Sequence, residues 1–369
     1  MPLTFLRTVY KILLKTIIMT HYVKEIYDFF AENIASKDKK VTLLDFLRTI
    51  PGFVSKTSDN SSCEIFNMGI ANKISSLCKK MVSQDMLLIP IKTNQIICLN
   101  DEYISVHENN SSNPKELIDD LKYGAYDFKY QGFVYTRNWF EHSVLPISGI
   151  NAEGDEDMGT TYYIGNNMFV TAAHCINGLE RFNLLLNDTT PIRLREVWFA
   201  AGEDSNDYDL AVIIADEPIK VPAFMLDKPS VLDPVLVIGY PPIPGMFPIQ
   251  TSETASVGAY IKSDQKAAVG QVVTPVKSYL SKLDFFIINA RVKGGNSGGP
   301  VINEYGKVIG TVVQIPFDNQ GGSGGGRYDI MGYGVCLPSK YINNLIDNHD
   351  TKSLVVKDEY YSIEHDWKK

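Results

Sequence analysis

Three short stretches of this sequence hold the residue types that acyl transfer needs, in the order base, acid, nucleophile: TAAHC over 171–175, DYDLAVI over 207–213 and GGNSGGP over 294–300. Such chemistry takes a nucleophile, a base for its proton, a group that orients the base, and donors for a developing oxyanion. His174 fits the base, because imidazole is the side chain whose unperturbed pKa lies near neutrality. Asp209 opens an apolar run, where a carboxylate is costly to bury unless it accepts hydrogen bonds, and an imidazole N–H is the expected donor. Asp207, two residues earlier, rivals it on residue grounds. Ser297 stands among glycines that allow a tight turn, presenting its Oγ while the backbone N–H groups of Gly295 and Ser297 converge on one point. Each residue alone also reads as a core histidine, a turn acid or a loop serine; the succession of all three favours chemistry.

The elements that must position them are short. Apolar or alternating runs at 132–135, 160–164, 168–172, 211–214, 235–238, 285–288 and 308–314 are separated by Gly, Pro, Asn and Asp. This spacing predicts an all-β sandwich or barrel. The run GGSGGG at 321–326 reads as a loop and not a phosphate cradle, since no strand-to-helix context or Lys-Ser/Thr ending accompanies it.

On these motifs the chain resembles the trypsin/chymotrypsin superfamily of serine peptidases, and DLAV, GNSGGP and GYGVCLPS are similar to its HtrA-like branch, over about residues 130–350. The resemblance implies a chymotrypsin-like double β-barrel and an endopeptidase that works through an acyl-enzyme without metal or organic cofactor. It places the acid at Asp209, completing a triad with His174 and Ser297, and the oxyanion hole at Gly295 and Ser297. It also puts the walls of the primary substrate pocket at Arg291, Val292, Val312, Val313, Gln314, Gly334 and Cys336. No acid lies among these, so Val292 and Val313 favour a small or medium apolar residue before the cut bond; Arg291, if turned inward, would select an acidic one instead. The chain departs from secreted relatives in two places. The position sixteen before Cys175, where they carry its disulfide partner, is Gly159; the residue before the serine, where they carry an Asp that pairs with a newly cut N-terminus, is Asn296. Activation by that ion pair is therefore not expected, and loop ordering controlled by an N-terminal module or the Gly-rich loop is. No PDZ-sized domain is expected after the peptidase region.

The preceding residues have another texture. Within a globular composition of 44% hydrophobic and 21% charged residues, the first hundred carry 13 Lys/Arg against 8 Asp/Glu, a net of +5, while the remainder carries −13. Residues 1–20 hold no acid and place Arg7, Lys11 and Lys15 on one face of an amphipathic helix, too interrupted for a membrane span or a secretory leader. Val23, Ile26, Tyr27, Phe30 and Ile34 predict a helix, 43–47 a second, and Ile70, Ile74, Leu77, Cys78 and Met81 a third, followed by a hairpin pairing 86–91 with 95–99. Three helices and a two-stranded wing resemble a winged-helix domain over 21–107, with Lys73, Ser76, Lys79 and Lys80 on the outer face of the third helix. Such a domain implies a protein or nucleic-acid partner. A linker over 108–129, containing a short helix at 115–123, then leads to the peptidase domain at 130–350 and a tail at 351–369. The five cysteines are scattered without zinc-ligand spacing, which argues against a disulfide scaffold and points to a reducing, cytoplasmic location. The expected fold is thus multidomain: an α-rich (α+β) winged-helix-like module before an all-β peptidase, acting on protein or peptide substrates.

Overall fold

The computed structural model describes residues 21–32, 41–56, 64–91, 99–106, 113–154, 156–186, 190–200, 209–241, 264–278, 283–314, 317–318, 328–329, 333–357 and 360–363. The expected helix at 1–20, the Gly-rich run, Asp207 and the segment 108–112 lie outside them. The chain forms two compact units, Met1–Gly132 and Phe133–Lys369.

In the first unit, α1 (Tyr22–Glu32) buries Tyr22, Val23, Ile26, Tyr27 and Phe30, the stripe its three-and-four spacing predicts. Next, α2 (Leu43–Thr49) begins with a capping box in which the Thr42 and Asp45 side chains each accept from the other's backbone N–H. A small ribbon, β1 (Val54–Lys56) with β2 (Glu64–Phe66), precedes α3 (Met68–Ser83), whose inward face is Ile70, Ile74, Leu77, Cys78 and Met81. A hairpin follows, but β3 (Leu87–Ile91) pairs with β4 (Glu102–Ser105), with Leu87 opposite Ser105. Of the partner expected at 95–99, residues 95–98 lie outside the described residues. The observed strand has the stronger reason to pair, because it alternates buried Tyr103 and Ser105 with more exposed Glu102 and Ile104. The last two helices are α4 (Pro114–Tyr123), with Pro at its first turn and Gly124 at φ +84° behind it, and α5 (Ala125–Gln131). The outer face of α3 is partly occupied: Lys80 donates to the Tyr130 carbonyl and the Lys73 ammonium lies 5.3 Å from the centre of the Tyr22 ring.

The second unit opens with α6 (Phe133–Trp139), where a strand was expected; Tyr135 and Trp139, four apart, bring their rings to a tilted contact 6.0 Å apart along one helical face, which the β-rich local composition hides. The first barrel contains β5 (Val144–Asn151), β6 (Glu156–Gly165), β7 (Met168–Thr171), then α7 (His174–Asn177), β8 (Leu179–Leu186) with its short edge β9 (Thr190–Pro191), β10 (Leu194–Ala200) and β11 (Ala211–Ala215). The second sheet takes β12 (Pro234–Gly239), β13 (Lys266–Gln271), β14 (Lys277–Ser278), β15 (Asp284–Ile288), β16 (Pro300–Asn303) and β17 (Val308–Gln314). A two-stranded ribbon, β18 (Phe317–Asp318) with β19 (Tyr328–Asp329), precedes β20 (Gly334–Pro338), which completes the second sheet; α8 (Lys340–Asp347) then leads to β21 (His349–Lys357) and β22 (Tyr360–Ile363).

The segment expected as a tail is thus a structural hairpin. It inserts between β10 and β8, so that β22–β21–β10–β11–β7–β6–β5–β8 close into an eight-stranded barrel. The second sheet, β13–β12–β16–β17–β20–β15–β14, is open, with a bridge between Val272 and Ile288 drawing its ends together. Its core is Val235, Val237, Phe286, Ile288, Val301, Ile309 and neighbours. The expected all-β pair of barrels is therefore present as one closed and one half-open. Among the described residues no helix is long and apolar enough to cross a membrane.

Candidate active site

The registers of β7 and β11 explain why His174 and Asp209 meet. The strands are antiparallel with Thr171 opposite Ala211, so three residues beyond Thr171 and two before Ala211 run out of the barrel side by side. The Asp209 carboxylate takes both donors that His174 offers there: Oδ1 accepts from the backbone N–H at 3.0 Å and Oδ2 pairs with ring Nδ1 at 2.7 Å. One carboxylate thus caps the first residue of α7 and fixes its imidazole. In the neutral ring, with Nδ1–H given to the carboxylate, Nε2 keeps the lone pair that can accept a proton. The bond to Asp209, assisted by the Cys175 thiol and opposed by burial, raises the His174 pKa from 6.5 to about 10. The two side chains remain 49% and 35% exposed, which leaves the ring open to an incoming group.

Ser297 is held differently. Its loop joins β15 to β16 and turns through Gly295 at φ +86° and Gly298 at φ +80°. A Cβ at Gly298 would fall 2.2 Å from both the Thr160 carbonyl and Thr171 Oγ1, and one at Gly295 would fall 2.5 Å from the Tyr240 carbonyl. Within the loop, Asn296 N–H donates to the Lys293 carbonyl (3.0 Å), Gly298 N–H to Val312 (2.7 Å) and Gly299 N–H to Asn296 (2.8 Å). From the first barrel, Thr160 N–H donates to the Ser297 carbonyl at 2.9 Å, and the Thr160 hydroxyl to the Gly295 carbonyl at 2.6 Å. The backbone N–H groups of Gly295 and Ser297 have no acceptor among the described residues, although their neighbours in the loop are paired.

Cys175 connects the two halves. Its thiol donates to the Ser297 carbonyl at 3.4 Å, so the turn bearing His174 lies against the loop bearing Ser297. Gly159 has a positive role here beyond the absence of a bridging cysteine, because a Cβ there would sit 2.7 Å from Cys175 Sγ. No hydrogen bond joins the Ser297 hydroxyl to the imidazole among the described residues.

The seven residues expected to wall the substrate pocket separate into two groups. Val292, Val312 and Cys336 are core residues of the second barrel, Cys336 being Val312's cross-strand partner with its thiol pKa pushed up by burial. Gly334 lies against Val292, where an added Cβ would come within 2.9 Å of Cγ2, and Val313 is buried. Arg291 and Gln314 are exposed. No cluster of three or more His, Cys, Asp or Glu suited to a metal occurs among the described residues. Sequence reasoning missed Thr160, Thr171 and Tyr240, whose polar groups brace the serine loop; a run of two threonines in an apolar strand was the one available signal.

Comparison with known proteins adds to this geometry. Residues 159–310 match the model of the trypsin-like peptidase domain. Over 218 residues the chain is 29% identical to a serine protease HtrA-like protein of Staphylococcus epidermidis, covering 57% of this chain and 34% of that protein. Over 181 residues it is 27% identical to serine protease HTRA1B of Danio rerio, covering 48% and 32%. The chain therefore spans about a third of the length of these curated relatives. Among solved structures, the HtrA-type protease AlgW with tripeptide aligns over 57% of this chain and 61% of its own, at 21% identity and a TM-score of 0.42. The active form of the Rv3671c protease from M. tuberculosis aligns over 58% and 83%, at 19% identity and a TM-score of 0.42.

Proposed function

We propose that this chain, whose residues 159–310 match the trypsin-like peptidase domain, is a serine endopeptidase similar to the HtrA-like branch and cuts peptide bonds through a triad of His174, Asp209 and Ser297. The observation that carries the reading is the 2.7 Å pairing of His174 Nδ1 with Asp209, on a turn braced against the Ser297 loop. His174 Nε2 takes the Ser297 Oγ proton as the oxygen attacks the scissile carbonyl carbon. The imidazolium so formed is stabilised by Asp209, and the oxyanion is received by the N–H groups of Gly295 and Ser297, which have no acceptor among the described residues. Collapse expels the amine with the proton from Nε2, leaving an acyl-serine; water then gives its proton to the same nitrogen and releases the acid. Labelling by a fluorophosphonate that is lost in Ser297→Ala tests this reading, and undiminished labelling of the alanine variant would end it.

Val292, Val313 and Gly334, with no acid beside them, support a small or medium apolar residue before the cut bond; preferential cleavage after Glu would reverse that assignment to one governed by Arg291. The first unit supports a winged-helix-like regulator: α1, α2, α3 and the β3–β4 hairpin follow in that order, with a bridge from Thr42 to Glu102. Because Lys73 and Lys80 are engaged within the unit, a protein partner is favoured over nucleic acid. A 133–369 fragment as active as the whole chain would remove the regulatory role. The free thiols of Cys78, Cys175 and Cys336 support a reducing, cytoplasmic setting; disulfides found in the isolated native protein would speak against it.

A further inference from the structure

We infer that Thr160 is the positioning residue that sets the serine loop for catalysis, an assignment that rests on the reading of Ser297 as nucleophile. Thr160 lies on β6, in the other barrel from the loop it holds, and is fully buried. All of its polar groups are in use. Its hydroxyl donates to the Gly295 carbonyl at 2.6 Å and accepts from Tyr240 N–H at 3.1 Å; its N–H donates to the Ser297 carbonyl at 2.9 Å; its carbonyl accepts from Thr171 Oγ1 at 2.7 Å.

The consequence follows from peptide geometry. The Ser297 N–H lies in the chain between two carbonyls, those of Gly295 and Ser297, and both end on Thr160. That N–H shares its own peptide plane with the Asn296 carbonyl, which accepts from Gly299 N–H at 2.8 Å, and Thr160 fixes the peptide planes on either side, so the N–H has little freedom to turn. The loop needs the restraint, because Gly294 and Gly295 lack the side chain that would limit their backbone, and a Cβ at Gly294 would meet nothing within 4 Å. The hydroxyl, not the backbone, holds Gly295, so this half of the restraint depends on residue type. Its surroundings are shaped for it: a Cβ on Gly239 would fall 3.0 Å from Thr160 Oγ1 and 2.6 Å from Asn296 Oδ1. Where an ion pair before the serine is unavailable because that residue is Asn296, a hydroxyl from the opposite barrel supplies the ordering contact.

The test measures fluorophosphonate inactivation of the full chain, separating the rate at saturation from the concentration dependence, together with thermal unfolding. Thr160→Val keeps the shape and removes the hydroxyl; it should slow the saturated rate by about tenfold or more, as small misplacements at a reacting centre do, with half-saturation within about twofold. Thr160→Ser, which keeps the hydroxyl, should recover most of that rate. Tyr162→Phe removes another buried hydrogen bond of the same strand, the 2.7 Å contact with Thr311 Oγ1, and should lower the unfolding temperature without slowing inactivation. Should valine prevent folding, Thr160→Ala removes the same hydroxyl without bulk and carries the same expectation. A Thr160→Val protein that inactivates as fast as wild type, or a Ser variant no better than Val, overturns the assignment. If Ser297→Ala is labelled like wild type, the peptidase reading itself falls, and the positioning role with it.

Discussion

Each unit of this chain contains a histidine beside an aspartate at the start of a helix, and the two pairs are built to opposite ends. In the second unit Asp209 accepts from the backbone of His174 and from its ring, at 3.0 and 2.7 Å. In the first, Asp127 accepts from the backbone N–H groups of Tyr22 and Val23, at 2.9 and 3.2 Å, so it too caps a helix. Its nearest approach to the His21 ring, however, is 3.9 Å. Exposure differs as well: 49% and 35% for His174 and Asp209, against 18% and 0% for His21 and Asp127. The pKa values follow. A hydrogen bond to carboxylate raises His174 to about 10, whereas burial, helped by Lys73, lowers His21 to about 4. Burial likewise raises Asp127 to about 7, against the pull of its backbone donors. The comparison teaches that a carboxylate near an imidazole becomes an acid–base device only when it spends an oxygen on the ring and both groups stay open; with its oxygens on a helix end, it is structural.

The largest expected effect comes from disturbing the open pair. In Asp209→Asn the amide can still accept from the His174 backbone, but its NH₂ now faces Nδ1 and donates. The proton moves to Nε2, where none can be taken from Ser297. Peptide hydrolysis should fall by about four orders of magnitude in kcat, the loss that follows when the acid of such a triad becomes an amide, in a variant that still unfolds cooperatively. A kcat within about tenfold of wild type would mean that Asp209 does not set the tautomer.

Removing the carboxylate of the closed pair should act on stability alone. Asp127→Ala strips two buried N–H groups of their acceptor, an effect of about 1–3 kcal/mol, visible as faster amide exchange across Tyr22–Glu32. An unchanged exchange rate would show that water satisfies those donors equally well.

How far this contrast could be read from sequence is uneven, for physical reasons. His174, Asp209 and Ser297 stand out because their surroundings are dictated locally: the glycines at 295 and 298 occupy φ values that other residues avoid, and the acid directly precedes an apolar strand. Helices α1 and α3 of the first unit are equally legible, since their buried faces keep a three-and-four spacing, whereas α5 lies across a stretch read as linker. The braces are not legible. Thr160 reaches Gly295 across 135 positions, Cys175 reaches Ser297 across 122, and a threonine in a strand signals only β-propensity. Asp127 gives no local signal, because its partners lie more than a hundred residues away. The hairpin β21–β22 passed for a tail because a barrel-closing strand exposed over much of its length lacks a clean alternation.

The smallest effect is also the sharpest discriminator, and it appears on titration. In Ser297→Ala, whose fold is undisturbed, the His174 ring signal should titrate above 6.5, toward about 10, while His21 titrates below it, toward about 4. The consequences for stability have opposite signs. A raised histidine contributes stability that is complete below pH 6.5 and lost as pH rises through the folded value, so the second unit should weaken between about 6.5 and 10. A lowered one loses stability as pH falls from 6.5 toward about 4. In the first unit this slope is opposed by Asp127, whose raised pKa removes stability as pH climbs from 3.8 to about 7. The two slopes oppose each other across their shared window, so stability should change less there than His21 alone would make it. Asp127→Asn keeps an acceptor for the helix end but deletes one of the opposing slopes; amide exchange across Tyr22–Glu32 should then quicken steadily from pH 6.5 downward, after correction for the intrinsic pH dependence of exchange. A variant whose exchange quickens no more steeply than wild type would show that His21 is not held neutral by burial, and that the two pairs are electrostatically alike.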